Sequence, residues 1–259
     1  MIKNYELRPL NFVEFEPKIK SNKKFINNVT QSDYSSGIFG HYWTFDFIRV
    51  ISDFINFEDV KIIFDVGSRD CLQSQEFHKF FPQSHIWSFE GNPNLFSLCE
   101  LNSKDYPITF VPKALTNYNG ATIFNVVDDG NVGASSLLKT TEMGRSSEWK
   151  QREITVDCIR LDTFMEDNNI PHIDLLWVDV QGAEKIVFDG LGDKLKDVKA
   201  INTEIGLQPL YHNSTEAEEF NNFMIENGFI NLKSYYMDSV FERNDEMEII
   251  YLNKKFLKK

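Results

Sequence analysis

At 259 residues, with 42% apolar and 25% charged side chains, the chain can bury a core and is too mixed in composition to be fibrous or disordered. Its formal net charge of −12, from 27 basic and 39 acidic residues, repels phosphate backbones and argues against a nucleic-acid partner. Three widely spaced cysteines (Cys71, Cys99, Cys158), no apolar leader and no run of membrane-spanning length point to free thiols in the cytoplasm and to no stable membrane insertion.

In chain order, residues 1–57 lack strand–helix alternation and read as an N-terminal arm that packs on the core or covers a site. Within it, residues 32–37 are loop-like and 43–55 suit an aromatic-rich helix. Tyr42, Trp43, Phe45 and Phe47 offer either a stacking face for a sugar or, more ordinarily, packing groups. From Lys61 the pattern changes to short apolar runs alternating with helices. Strands are expected at 62–66, 86–90, 108–111, 121–127, 154–158, 173–178 and 199–204. Helices are expected at 72–81, 94–104, 161–167, 183–190 and 215–226. Two closing strands, 230–237 and 247–252, are joined too tightly for anything but an antiparallel pair. The whole is an α/β protein with a mostly parallel sheet covered on both faces and an antiparallel C-terminal hairpin.

Ligands of such sheets bind outside the carboxyl ends of the strands. Four carboxylates stand there: Asp65, Glu90, Asp179 and Glu204. Asp65-Val66-Gly67 has one glycine where a dinucleotide loop has three, and Asp65 would repel a pyrophosphate. A cationic ligand without phosphate, such as S-adenosylmethionine, removes that conflict, and Gly67 lets it approach the backbone. Glu90 follows Asp65 by about 25 residues, near the spacing at which an acidic residue meets a ribose. Gly91, Asn92 and Pro93 after it also suit a turn. Asp179 ends a buried strand, and Glu184 suits either the following helix N-terminus or an acceptor. Beyond Glu204, Tyr211 and His212 stand on a loop placed to act as a lid.

The string Asp179-Val180-Gln181-Gly182-Ala183-Glu184 resembles the I-D-V-E-G-x-E signature of FkbM-type methyltransferases. Asp65-Val66-Gly67, Phe89 to Pro93, Ala114-Leu115-Thr116, Gly133 to Leu137, Ile159 to Phe164, Ile170 to Asp174 and Glu204 fall in that family's order, over residues 64–229. Two departures stand out, since the family often has glycine at the place of Cys71 and glutamate at that of Gln181. The resemblance implies a Rossmann-like class I methyltransferase fold with a seven-stranded sheet, its S-adenosylmethionine-binding domain being residues 58–259. It implies O-methylation of a sugar, glycan or secondary metabolite. Asp65, Gly67, Ser68, Arg69, Glu90, Gly91, Asn92, Ala114, Asp179 and Gln181 are then the cofactor side. Asp179, Glu204 and, third, His212 are the candidate bases for the acceptor hydroxyl. Paired carboxylates also admit Mg²⁺, although the sequence marks no metal ligand set. A non-enzymatic binding module and a nucleotide-dependent oxidoreductase are the competing readings, and a homo-oligomer stays open.

Overall fold

The structure, a computed structural model, describes residues 19–22, 40–128, 130–141, 143–236 and 246–257. The expected loop at 32–37 and the connection between the two closing strands lie outside those residues, as do the side chains of Tyr42 and Trp43.

The described residues form ten strands: β1 (Ile62–Val66), β2 (His85–Phe89), β3 (Ile108–Val111), β4 (Ala114–Leu115), β5 (Gly120–Val127), β6 (Gln151–Ile159), β7 (Ile173–Val178), β8 (Val198–Gly206), β9 (Phe229–Tyr236) and β10 (Glu246–Asn253). Seven of them form one sheet in the order β3-β2-β1-β7-β8-β10-β9. All neighbours are parallel except β10, which is antiparallel to both β8 and β9. The expected mostly parallel sheet with a closing antiparallel pair is therefore the observed one. The order reverses between β1 and β7, so the crevice beyond their carboxyl ends is where a ligand belongs.

Two expected strands sit elsewhere. Residues 120–127 and 151–159 pair antiparallel with each other and, through the short β4, make a separate three-stranded sheet. β6 alternates exposed polar and more buried apolar residues from Glu153 to Cys158, and the first half of β5 is largely exposed, which a central parallel strand does not tolerate.

Among the described residues, six helices cover the main sheet: α1 (Gly40–Ile51), α2 (Leu72–Phe80), α3 (Phe96–Ser103), α4 (Leu161–Asp167), α5 (Glu184–Leu191) and α6 (Ala217–Glu226). The continuous apolar runs of β1 and β7 follow from burial on both faces. Phe64, Leu176, Val178 and Ile201 face Phe164 of α4, Phe188 of α5 and Phe220 of α6. Ile63, Leu175, Trp177 and Ile250 face α1 and α2 on the other side. Phe45 and Phe47 of α1 are buried there, with Phe47 edge-on to Phe77 and Trp177 at 6.5 and 6.0 Å between centroids. These two are core, which corrects any role for them as a sugar-stacking face. Before α1, the buried Asn22 donates to the carbonyls of Ser52 and Ile55 and accepts from Phe57 N–H, each at 2.8–2.9 Å. All three cysteines are free and buried.

Candidate active site

The turn after β1 is built by hydrogen bonds across the switch point. Gly67 and Ser68 N–H both donate to the Phe89 carbonyl at 3.0 Å, and Asp179 N–H donates to Val66 O at 2.9 Å. Gly67 has φ +83°, and a Cβ there would lie 1.8 Å from the Asp179 carbonyl oxygen. The space left by its missing side chain is thus occupied by the β7 exit, not reserved for a ligand. Cys71 has φ 60°, a left-handed conformation that explains why glycine suits this position in the resembling family. Asp70 accepts from Leu72 N–H and caps α2 in its place.

Asp65 is buried on β1, where one carboxylate oxygen accepts from the Ser74 hydroxyl at 2.6 Å. Its other oxygen, Oδ1, is buried without a hydrogen-bond partner. Burial, reinforced by Asp70, Asp179 and Glu90, pushes its pKa up to about 7. Glu90 accepts from Arg69 N–H at 2.9 Å on one oxygen and from Asn92 N–H at 2.7 Å on the other. Burial raises its pKa against these bonds. An orphaned acidic oxygen beside a carboxylate with lone pairs to spare fits the amino group and the ribose diol of S-adenosylmethionine.

The remaining residues expected on the cofactor side have local duties. Ser68 is buried with its hydroxyl 3.6 Å from Cys71 Sγ, while the Arg69 side chain is half exposed and pairs with Asp70 at 3.3 Å. Asn92 accepts from Asn94 N–H at 3.1 Å and so caps the turn into α3. Gly91 packs under β4 and β5, its built Cβ meeting Phe124 at 3.0 Å and Ala114 Cβ at 3.1 Å.

At the ends of β7 and β8 the second group assembles. Gln181 Nε2 donates to Asp179 Oδ1 at 2.8 Å and to Glu204 Oε2 at 3.0 Å. Tyr211 donates its hydroxyl to Gln181 Oε1 at 3.0 Å and lies 3.1 Å from the Ala134 carbonyl. The Gln181 side chain expected on the cofactor side is thus engaged within the protein. Glu204 faces Glu248 across the β8–β10 ladder, and Asn202 Nδ2 donates to Glu248 Oε2 at 2.5 Å. Burial first, then Glu246, Asp179, Glu248 and Glu184, drives the pKa of Glu204 well up. Glu184 is buried and accepts from Val180 and Gly182 N–H at 3.3 and 3.1 Å, so it ties down the turn that leads into its helix. His212 is exposed, its backbone N–H bound to Lys139 O and its ring without a hydrogen bond to the described residues. Among the described residues, no three His, Cys, Asp or Glu side chains come together as a metal ligand set.

Sequence reading missed Tyr211 as a partner of Gln181 and missed Glu246 and Glu248 altogether. Glu248 did carry a signal, a charge among apolar residues of a closing strand.

Residues 65–230 match the family described as methyltransferase FkbM domain. The chain is 25% identical over 202 residues to 2-O-methyltransferase NoeI of Sinorhizobium fredii, covering 75% of this chain and 80% of that protein. It is 26% identical over 172 residues to hexuronic acid methyltransferase AglP of Haloferax volcanii, covering 63% of this chain and 64% of that protein. A solved structure titled methyltransferase FkbM from Methylobacillus flagellatus KT is similar over 89% of this chain and 58% of that one, with 9% identity and a TM-score of 0.49. With the family match spanning more than half of its length, the chain belongs to the FkbM methyltransferase family.

Proposed function

We propose that this methyltransferase uses S-adenosylmethionine to methylate a hydroxyl of a sugar, free or within a glycan. The observation that carries the reading is the pair of carboxylates, Asp179 and Glu204, held by one amide at the strand ends beside the Asp65–Glu90 pair. The names of the two relatives, a 2-O-methyltransferase and a hexuronic acid methyltransferase, support a sugar as acceptor.

S-adenosylmethionine supplies an electrophilic methyl on a sulfonium, which leaves as a neutral thioether. Asp65 and Glu90 would hold it, by the orphaned oxygen and by acceptance from the ribose hydroxyls. Asp179 or Glu204 would take the proton of the acceptor hydroxyl, freeing that hydroxyl's oxygen to receive the methyl group. A buried carboxylate with raised proton affinity suits a weakly acidic hydroxyl better than an exposed one does. Rate then comes from alignment and from exclusion of water.

The test is transfer of a labelled methyl group to a panel of neutral sugars and uronic acids, with and without a chelator. The wild type is expected to label a sugar. Asp179→Asn or Glu204→Gln should lower kcat by on the order of 10²-fold or more. Full turnover in both variants would remove the base assignment, and no labelled saccharide would remove the acceptor class. Loss of turnover in chelator, restored by Mg²⁺, would replace simple base catalysis with a metal-assisted route.

A further inference from the structure

We propose that Gln181 is a positioning residue that acts through both carboxylates at once: its amide donates to Asp179 and to Glu204 and holds them at one separation, and the Tyr211 hydroxyl completes the hydrogen bonding of that amide. The inference rests on the reading of Asp179 or Glu204 as the acceptor's base.

The geometry leaves one orientation for the side chain. Both N–H bonds of Nε2 are used, one on Asp179 Oδ1 at 2.8 Å and one on Glu204 Oε2 at 3.0 Å. Turning the amide over would set its carbonyl oxygen against two carboxylate oxygens. The two carboxylates thus fix the amide, and the Tyr211 hydroxyl meets its Oε1 at 3.0 Å. Tyr211 is itself fixed. It is buried, its ring lies 5.8 Å from that of Trp149, and a Cβ on Gly182 would touch it at 3.0 Å. Gln181 sits at φ 56°, a left-handed conformation, with its carbonyl accepting from the Ser136 hydroxyl at 2.8 Å. A residue held in this conformation by neighbours on three segments is placed for its side chain.

The charge surroundings show why a neutral donor matters. Glu204 faces Glu246 and Glu248 from β10, Glu184 from α5 and Asp179 from β7. Asp179 lies in turn within the field of Asp65 and Glu90. Burial and these groups favour protonation of Glu204, and the N–H···O bond from Gln181 opposes that pressure. A glutamate at 181, the residue that the family often has here, would add a further negative charge at the same spot and could not donate to either carboxylate.

The experiment is a ¹³C-carboxyl NMR titration of the wild type, Gln181→Leu and Tyr211→Phe, with resonances assigned by Asp179→Asn and Glu204→Gln. The acid limb of kcat/KM against pH is recorded beside it, and circular dichroism checks the fold. Gln181→Leu is expected to raise the titration of Asp179 and Glu204 by about one pH unit, and to move the acid limb up by the same amount. Tyr211→Phe keeps the ring and should shift both in the same direction by less. Unchanged titrations in folded Gln181→Leu would overturn the proposal, leaving the amide as a mere stitch between strand ends. Should that variant fail to fold, Tyr211→Phe decides, and no shift there overturns it equally. A wild type that methylates no hydroxyl would defeat the functional reading, while the titrations would still decide what Gln181 does.

Discussion

Asp65 is the residue through which the proposed cofactor binding would respond to pH. Burial and three neighbouring carboxylates bring its pKa to about 7, and one of its oxygens has no partner. A ligand bearing an ammonium group binds the ionised form, so its affinity should be full above pH 7 and fall as the pH drops through it. Titrating S-adenosylhomocysteine by calorimetry from pH 8 to pH 6 is expected to show Kd rising by up to about tenfold. Asp65→Asn should bind weakly throughout and flatten the slope; a wild-type Kd independent of pH would dissociate Asp65 from the ligand. The carboxylates at the strand ends were legible in the sequence because a charged residue closing an apolar run next to a glycine is conspicuous. The duty of Gly67 was not, since the carbonyl that fills its missing side chain comes from Asp179, more than a hundred residues away.

At the scale of elements, the segments after β5 and β8 hold each other over the strand ends. Thr141 N–H donates to Leu210 O and His212 N–H to Lys139 O, both at 2.8 Å, and Thr140 bridges Tyr211. Ser136 and Tyr211 carry the same clasp down to residues 180–181. Gly182→Ala would force a Cβ against the Tyr211 ring and place alanine at φ +89°. It should lower stability by about 1–3 kcal/mol in denaturant melts and cut kcat, through displacement of Tyr211. Wild-type values for both would mean that the clasp is dispensable. The main-sheet strands and their helices were readable to within a few residues, because their periodicity is set by local burial. The side sheet was not, because partner choice among β4, β5 and β6 depends on register, and two-residue β4 leaves no pattern to read.

Taken as a whole molecule, the protein buries carboxyl groups as well as exposing them. Glu184 and Glu248 are both raised to about 8, chiefly by burial. In the unfolded chain they titrate near the ordinary glutamate value, so the folded state holds protons that the unfolded state has lost between roughly pH 4.5 and 8. Stability therefore falls as pH rises through that window. The ligand-free protein should melt several degrees higher at pH 6 than at pH 8.5. Glu248→Gln, which still accepts from Asn202, should remove part of the difference by raising Tm at pH 8.5. A Tm that climbs with pH would contradict the sign.

The position of β10 in the sheet bears on how the protein is made. β8 is synthesised well before the strand that pairs with its outer edge, and β10 arrives only after β9. During that interval β8 presents open backbone groups along a run of Val, Ala and Ile, the kind of edge that recruits other chains. Glu204 lies on that run, and a charged residue on an open strand edge opposes such recruitment, so replacing it with an apolar residue is expected to lower soluble yield.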